Sequence, residues 1–382
     1  MAYARVPVAP EMLRWAIDRS GRGYDAADKS FPQLRSWLSS EQHPTVKQFK
    51  EFAAWTRTPA PLMLLGAPPT ISLPIADFRI GRGGPSAQPS PELIDTIHLC
   101  QLRQGWFEDY AEEFGIPGFQ GQRFEPGISI EAAAARLRKE LDYEVSDRQA
   151  VRTGADARVY LISAFEDLGG LVVVNGVVEN NTSRPLDPDE FRGFTLNSDS
   201  SPLVFVNGAD TKNGQVFSLA HEFAHVWRGD TGVSAEEITG HASNDVEKWC
   251  NRVAAEFLVP AADLRLQDVG TTTAEQDVQR LARRYGCSTL VVIIRLRELS
   301  VLDTQFLGEL YIREQRRLAA LVTGQSKGGD FHRNQPYRIG RRFGTHLFRD
   351  TAAGRTPFVE AMRLSSLGRH TLERYVTGDR AA

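Results

Sequence analysis

The sequence predicts an α+β chain that is mostly helical, and three observations carry that expectation. Apolar spacing of period 3.6 recurs from residue 11 into the last 70 residues. Strand-like runs rich in Val and Phe are confined to residues 171–178, 191–197 and 203–207. One helical stretch, 215–227, is apolar almost all round yet carries two histidines and a glutamate in its middle.

With 382 residues, the chain is expected to form two or three folded units. A hydrophobic fraction of 41% and a charged fraction of 24% exclude wholesale disorder. The longest apolar run, 290–296, is interrupted by Arg295 and falls far short of the roughly 18 residues a membrane span needs. Residues 1–15 carry two prolines and a glutamate, unlike a secretory signal. Three widely spaced cysteines, Cys100, Cys250 and Cys287, make no disulfide framework. A cytoplasmic protein without membrane partners is expected.

The elements follow in order. Short helices are predicted over 11–19, 31–38 and 46–56, with a glycine break at Gly21 and Gly23 and a Pro44-Thr45 start before the third. Residues 67–91, rich in proline and glycine, read as a strap containing a short strand at 71–78. Amphipathic helices follow at 90–114 and 130–141, the second capped by Ser129. After the three strands, helices are expected at 215–227 and 245–258, the latter ended by Pro260. A helix pair over 274–302 turns at Tyr285-Gly286-Cys287-Ser288. The last 70 residues offer a helix at 310–322, a Gly-rich turn at 324–329 and two further helical stretches. No repeat of 20–50 residues is present.

The net charge of −3 hides a polarised distribution. Residues 1–66 hold 9 Lys/Arg against 6 Asp/Glu, and residues 311–382 hold 14 against 6. Basic ends around an acidic centre allow phosphate contacts, and equally allow the ends to lie on the centre.

His221-Glu222-Phe223-Ala224-His225 is an H-E-x-x-H motif. Histidines at i and i+4 share one helix face, where both imidazoles can bind one Zn²⁺, and Glu222 can reach a water as general base. The apolar flanks bury these groups, and buried ionisable groups need compensation that a metal supplies. A catalytic zinc site also needs a third protein ligand. The metzincin extension is excluded, because Arg228 and Thr231 stand where Gly and His are required. Glu247 is the expected ligand: it shares a stripe with Asn251, Ala254 and Leu258 on the next helix. Glu256, Glu236, Glu237 and His241 are further candidates, and Cys250 is expected as a small buried hydrophobe. Mn²⁺ or Fe²⁺ fits the same ligand types.

The run Arg192-Gly193-Phe194-Thr195-Leu196, Val206-Asn207, the H-E-x-x-H helix and the stretch from Glu247 through Ala254-Ala255-Glu256-Phe257-Leu258-Val259-Pro260 together resemble the ImmA/IrrE family of zinc metallopeptidases. The resemblance covers about residues 155–265. It implies a zincin-like fold, with a small sheet over the active-site helix whose edge can pair with an extended peptide. It also implies His221, His225 and Glu247 as zinc ligands, one Zn²⁺ per chain, and Glu222 as catalytic base. Metal-assisted peptide hydrolysis would then follow, with Tyr160 or His241 as guesses for a second oxyanion donor. Family members cleave helix-turn-helix repressors in phage-type, mobile-element or stress-response circuits.

The N-terminus is similar to an Xre/Cro-type helix-turn-helix through Met12-Leu13, Trp15-Ala16, Leu34, Trp37 and Pro44-Thr45 with Gln48-Phe49 and Phe52-Ala53. It departs from that pattern where Phe31 replaces the usual turn glycine. The implied base readers are Gln33, Arg35 and Ser36. Residues 282–293 repeat the helix-turn-helix spacing, and arginines interleave with Tyr337, Phe343 and Phe348 over 333–349, a pattern that suits nucleic acid or an acidic surface.

The expected domains are a helix-turn-helix-like unit (1–66), a strap with helical lead-in (67–150), a zincin-like core (151–265) and a helical basic C-terminal domain (266–382). The expected role is a DNA-binding peptidase that cuts a repressor or a neighbouring gene's product in a stress-response, mobile-element or toxin–antitoxin-like module. The alternative is a non-proteolytic transcription regulator or antitoxin that binds a partner toxin, its zincin core structural or sensory.

Overall fold

The computed structural model describes residues 4–70, 72–77, 88–151, 153–234, 245–323 and 331–378. The chain divides into two compact units, one of Met1–Pro74 with Ser86–Ile97, the other of Ile75–Pro85 with His98–Ala382.

The first unit is helical. Helices α1 (Pro10–Ser20), α2 (Tyr24–Ser30), α3 (Leu34–Leu38) and α4 (Val46–Trp55) close around Met12, Trp15, Leu34, Trp37, Phe49 and Phe52. Gly21 ends α1 in the left-handed conformation, at φ 64°. Thr45 starts α4 with a reciprocal capping box to Gln48. The predicted helix over 31–38 is shorter than expected. Phe31 instead terminates α2, a helix its polar composition did not announce, and its ring packs on Trp37, Phe52 and Trp55.

The second unit builds a five-stranded mixed sheet and lays helices against it. Strands β1 (Ala76–Asp77), β2 (Leu171–Asn175), β3 (Gly193–Leu196), β4 (Leu203–Asn207) and β5 (Gly232–Ser234) lie in the order β1-β5-β3-β4-β2. β3 runs antiparallel to both neighbours, and the outer pairs are parallel. Helix α5 (Pro91–Glu113) spans the division between the units. Helices α6 (Ile130–Glu140), α7 (Gly154–Asp167), α8 (Lys212–Arg228) and α9 (Asp245–Leu258) surround the main core, in which the Phe165 and Phe223 rings stack 4.6 Å apart. Ser129 caps α6 by accepting from the Ala132 N–H.

After a short α10 (Ala261–Leu264), helices α11 (Ala274–Tyr285) and α12 (Thr289–Glu298) form the predicted pair, and Gly286 at φ 63° makes the turn. Residues Val291–Leu296 of α12 are all buried, so the helix that the second helix-turn-helix spacing would offer to DNA is core. Buried Arg148 donates to the carbonyls of Phe257, Leu258 and Tyr285, closing the ends of α9 and α11.

Helix α13 (Thr304–Thr323) is followed by α14 (Phe331–Ile339), α15 (Arg341–Ala352), α16 (Phe358–Ser365) and α17 (Arg369–Val376), four helices where two stretches were expected. The Gly-rich turn at 324–329 lies outside the described residues. Within 333–349 Phe343 is buried, while Tyr337 and Phe348 are half-buried. Phe343 is 1% exposed, Arg158 stacks on Tyr337, and Phe348 packs on Tyr375.

Glu166 of α7 accepts the Arg342 N–H of α15 from a buried position. Burial raises its pKa to about 7 from an ordinary 4.5, against the pull of that N–H and of the Arg341 and Arg342 charges. The folded state therefore binds more protons than the unfolded chain between these values. Its stabilising contribution is full below pH 4.5 and is lost as pH rises through 7. The loss is of order 3 kcal/mol. Glu166→Gln is expected to flatten the fall in thermal midpoint between pH 5 and 7.5; parallel curves for the two proteins would contradict this assignment.

Candidate metal centre

Helix α8 begins at Thr211, whose hydroxyl accepts the Gly214 N–H, and ends at Gly229 in the left-handed conformation, φ 94°. Every residue from Gln215 to Trp227 is buried, because the sheet covers one face and α7 and α9 cover others. Leu219, Ala220, Phe223 and Ala224 pack the helix, and the polar side chains of His221, Glu222 and His225 are buried with them. Helix α9 lies against α8, with Cys250 and Ala254 buried beside it, and brings Glu247 in at its first turn.

Three side chains converge. His221 Nε2 lies 3.1 Å from Glu247 Oε2, His225 Nε2 lies 3.0 Å from Glu247 Oε1, and the two Nε2 atoms are 3.0 Å apart. A tetrahedral zinc site with bonds of about 2.0–2.2 Å separates its ligand atoms by about 3.3–3.6 Å, within a few tenths of this triangle. Glu247 is fully buried, with each of its oxygens set against one imidazole nitrogen. Burial works against the Glu247 charge, but the two imidazoles outweigh it and hold the carboxyl at about 2. A buried anion opposed by two ring nitrogens is the environment a divalent cation fits. The cluster fits a metal ion.

The supporting contacts orient the ligands. His221 Nδ1 meets Asn251 Oδ1 at 3.0 Å, and since that oxygen only accepts, Nδ1 carries the proton and Nε2 keeps its lone pair. Asp230 Oδ2 stands 3.6 Å from His225 Nδ1 and is held by Arg228 at 2.8 Å. Asn251→Ala is expected to weaken metal binding by about 10–100-fold in chelator competition, with Asn251→Asp close to wild type. Unchanged affinity in the alanine variant would mean that packing alone orients His221.

Glu222 is buried apart from the triangle. Thr195 of β3 donates to its Oε2 at 2.7 Å, while Oε1 faces Gly193, where a Cβ would come within 2.7 Å of it. Glycine at 193 is thus what lets the carboxylate lie under the strand. Burial raises the Glu222 pKa, partly offset by His225, His221 and the Thr195 hydroxyl.

Of the other sequence candidates, Glu256 is engaged elsewhere: it accepts the Ala261 N–H and pairs with buried Arg295. Glu236, Glu237 and His241 lie outside the described residues. The Tyr160 hydroxyl donates to the Asp142 carbonyl at 2.5 Å, beside Tyr143, so it is committed away from the cluster. Cys250 is buried within the core, with its sulfur near His225 and Asp230. In the N-terminal unit, Gln33 and Arg35 are exposed and Ser36 half-buried around α3, and Arg35 pairs with Asp28 at 2.9 Å. Gln33 accepts from Gln48 at 3.2 Å.

Sequence reasoning assigned no role to Asn251, Thr195 or Asp230. The signal for Asn251 was present, since Glu247 and Asn251 repeat on α9 the i, i+4 spacing of the two histidines on α8. The sheet order places β3 in the interior, paired to β4 and β5, and leaves β1 and β2 as the edge strands.

A comparison with curated proteins gave no match. Residues 174–297, which contain all four residues of the cluster and its base, match the family model described as Peptidase_M78, the IrrE N-terminal-like domain. That match makes residues 174–297 similar to the IrrE N-terminal-like peptidase domain, and the His-His-Glu triangle within them is compatible with a metallopeptidase.

Proposed function

We propose that the chain is a zinc-dependent endopeptidase that acts on a protein, namely a helix-turn-helix repressor or a neighbouring gene's product. The observation that carries this reading is the separation of two buried carboxylates. Glu247 converges with the imidazoles, and Glu222 is held apart by Thr195. One serves as ligand and the other stays free for proton transfer.

Zinc held by His221, His225 and Glu247 would supply Lewis acidity toward the scissile carbonyl and activate water; Mn²⁺ or Fe²⁺ suits the same donors. The residues of the chain do the rest. Asn251 fixes the His221 tautomer, and Thr195 holds Glu222 Oε2 so that Oε1 can accept a proton from the attacking water. The raised pKa makes Glu222 a stronger base, and the same oxygen then delivers the proton to the leaving nitrogen. To test the reading, the purified protein is incubated with the repressor or partner encoded beside it. Discrete cleavage, abolished by 1,10-phenanthroline and restored by zinc, is expected. An intact partner after prolonged incubation with zinc-loaded protein would favour a non-proteolytic regulator or antitoxin.

A second role is favoured by the placement of Gln33 at the start of α3, and of Arg35 and Ser36 on it, away from buried Leu34 and Trp37. These residues are proposed to contact DNA. Binding to the chain's own promoter is expected to weaken with salt and with Arg35→Ala, and to be indifferent to Glu222→Gln. Salt-independent binding, or none, would remove this role.

A further inference from the structure

One buried polar side chain near the centre remains without a partner and without a role. Ser234 of β5 is 3% exposed, and its hydroxyl has no hydrogen-bond partner among the described residues. An unpaired buried hydroxyl is costly, so its retention calls for a use.

The sheet register locates that hydroxyl. Ser234 pairs directly with Gly193 across the antiparallel β3–β5 ladder. Directly paired residues project to the same face, with Cβ positions about 4.5–5.5 Å apart. The Gly193 Cβ position falls 2.7 Å from Glu222 Oε1. Thr195, two residues along β3 and so on that same face, holds Oε2. Val233 pairs with Phe194 and takes the opposite face, among the stacked Phe194 and Phe205 rings. The Ser234 side chain therefore lies on the face of the sheet that meets Glu222 Oε1, and Gly193 puts no side chain of its own between the two strands' hydroxyls and that oxygen.

We propose that Ser234 is a positioning residue for Glu222: its hydroxyl donates, directly or across one water, to Oε1 while Thr195 holds Oε2. The two hydroxyls, from adjacent strands, fix the plane of the carboxylate that takes and returns the proton. The placement is a matter of geometry alone, but its catalytic meaning rests on the peptidase reading above.

Two measurements test it. In a crystal structure of the zinc-loaded protein that resolves waters, Ser234 Oγ is expected to join Glu222 Oε1 directly or through a single water. A hydroxyl bonded only to a backbone carbonyl of its own sheet would overturn the proposal. In solution, acetohydroxamate serves as probe, because it chelates the metal and donates to the neighbouring carboxylate. Ser234→Ala is expected to weaken its binding about tenfold, the worth of one hydrogen bond. Ser234→Thr is expected to restore binding to within about threefold, with zinc content unchanged in both. Equal binding by wild type and Ser234→Ala would also overturn it. Wild-type protein that binds no acetohydroxamate would count against the metal-centre reading instead, and the crystallographic result would still decide the Ser234 contact.

Discussion

Glu222→Gln is expected to keep its metal and its fold while peptide hydrolysis falls by about 10²–10⁴-fold, the usual contribution of a positioned general base. The amide retains the carboxylate's shape and can still accept from Thr195. It removes only the ability to take a proton. Burial already disfavours the Glu222 charge, so the neutral replacement is expected to melt at the same temperature as wild type or higher. Zinc content, thermal midpoint and cleavage rate, measured on one preparation, separate the outcomes. Loss of metal along with activity would show that Glu222 is a ligand and that the division between the two carboxylates is wrong.

Glu247→Gln acts on the other carboxylate and is expected to give the opposite pattern. The substitution preserves volume in a fully buried position but replaces an anion by a poor metal ligand. Losing a direct ligand should weaken metal affinity by more than the roughly 10–100-fold typical of an orienting residue such as Asn251. Wild-type stability is expected to rise with free zinc, by about 4 kcal/mol at a thousand times the dissociation constant. For a unit of this size that is roughly 10 °C. The Glu247→Gln midpoint is expected to stay flat over the same titration. A parallel rise in the variant would place the ion elsewhere.

The metal centre was legible in the sequence because it rests on helical periodicity. Two histidines four apart must share a face, and the stripe through Glu247 and Asn251 on α9 could be drawn without coordinates. Strand contributions were harder to see. Thr195 reaches Glu222 only because β3 lies over α8, and Ser234 meets Gly193 only through the β3–β5 register, a pairing across about 40 residues that no local pattern encodes. β5 itself is three residues long, too short to give an alternating signal. Over 333–349 the spacing did not tell which aromatics lie in the core: Phe343 is buried, whereas Tyr337 and Phe348 are half-buried. At the N-terminus, the helix over 31–38 was overextended because Phe31 fits the apolar period yet closes α2 instead.

The central claim is that His221, His225 and Glu247 hold one divalent ion. Anomalous diffraction at the zinc edge, from crystals grown without added chelator, tests it most directly. One strong peak bounded by the two Nε2 atoms and the Glu247 carboxylate, with Glu222 outside bonding distance, is the predicted result. A map with no peak there after zinc soaking, or with the ion bound by other side chains, would contradict the account.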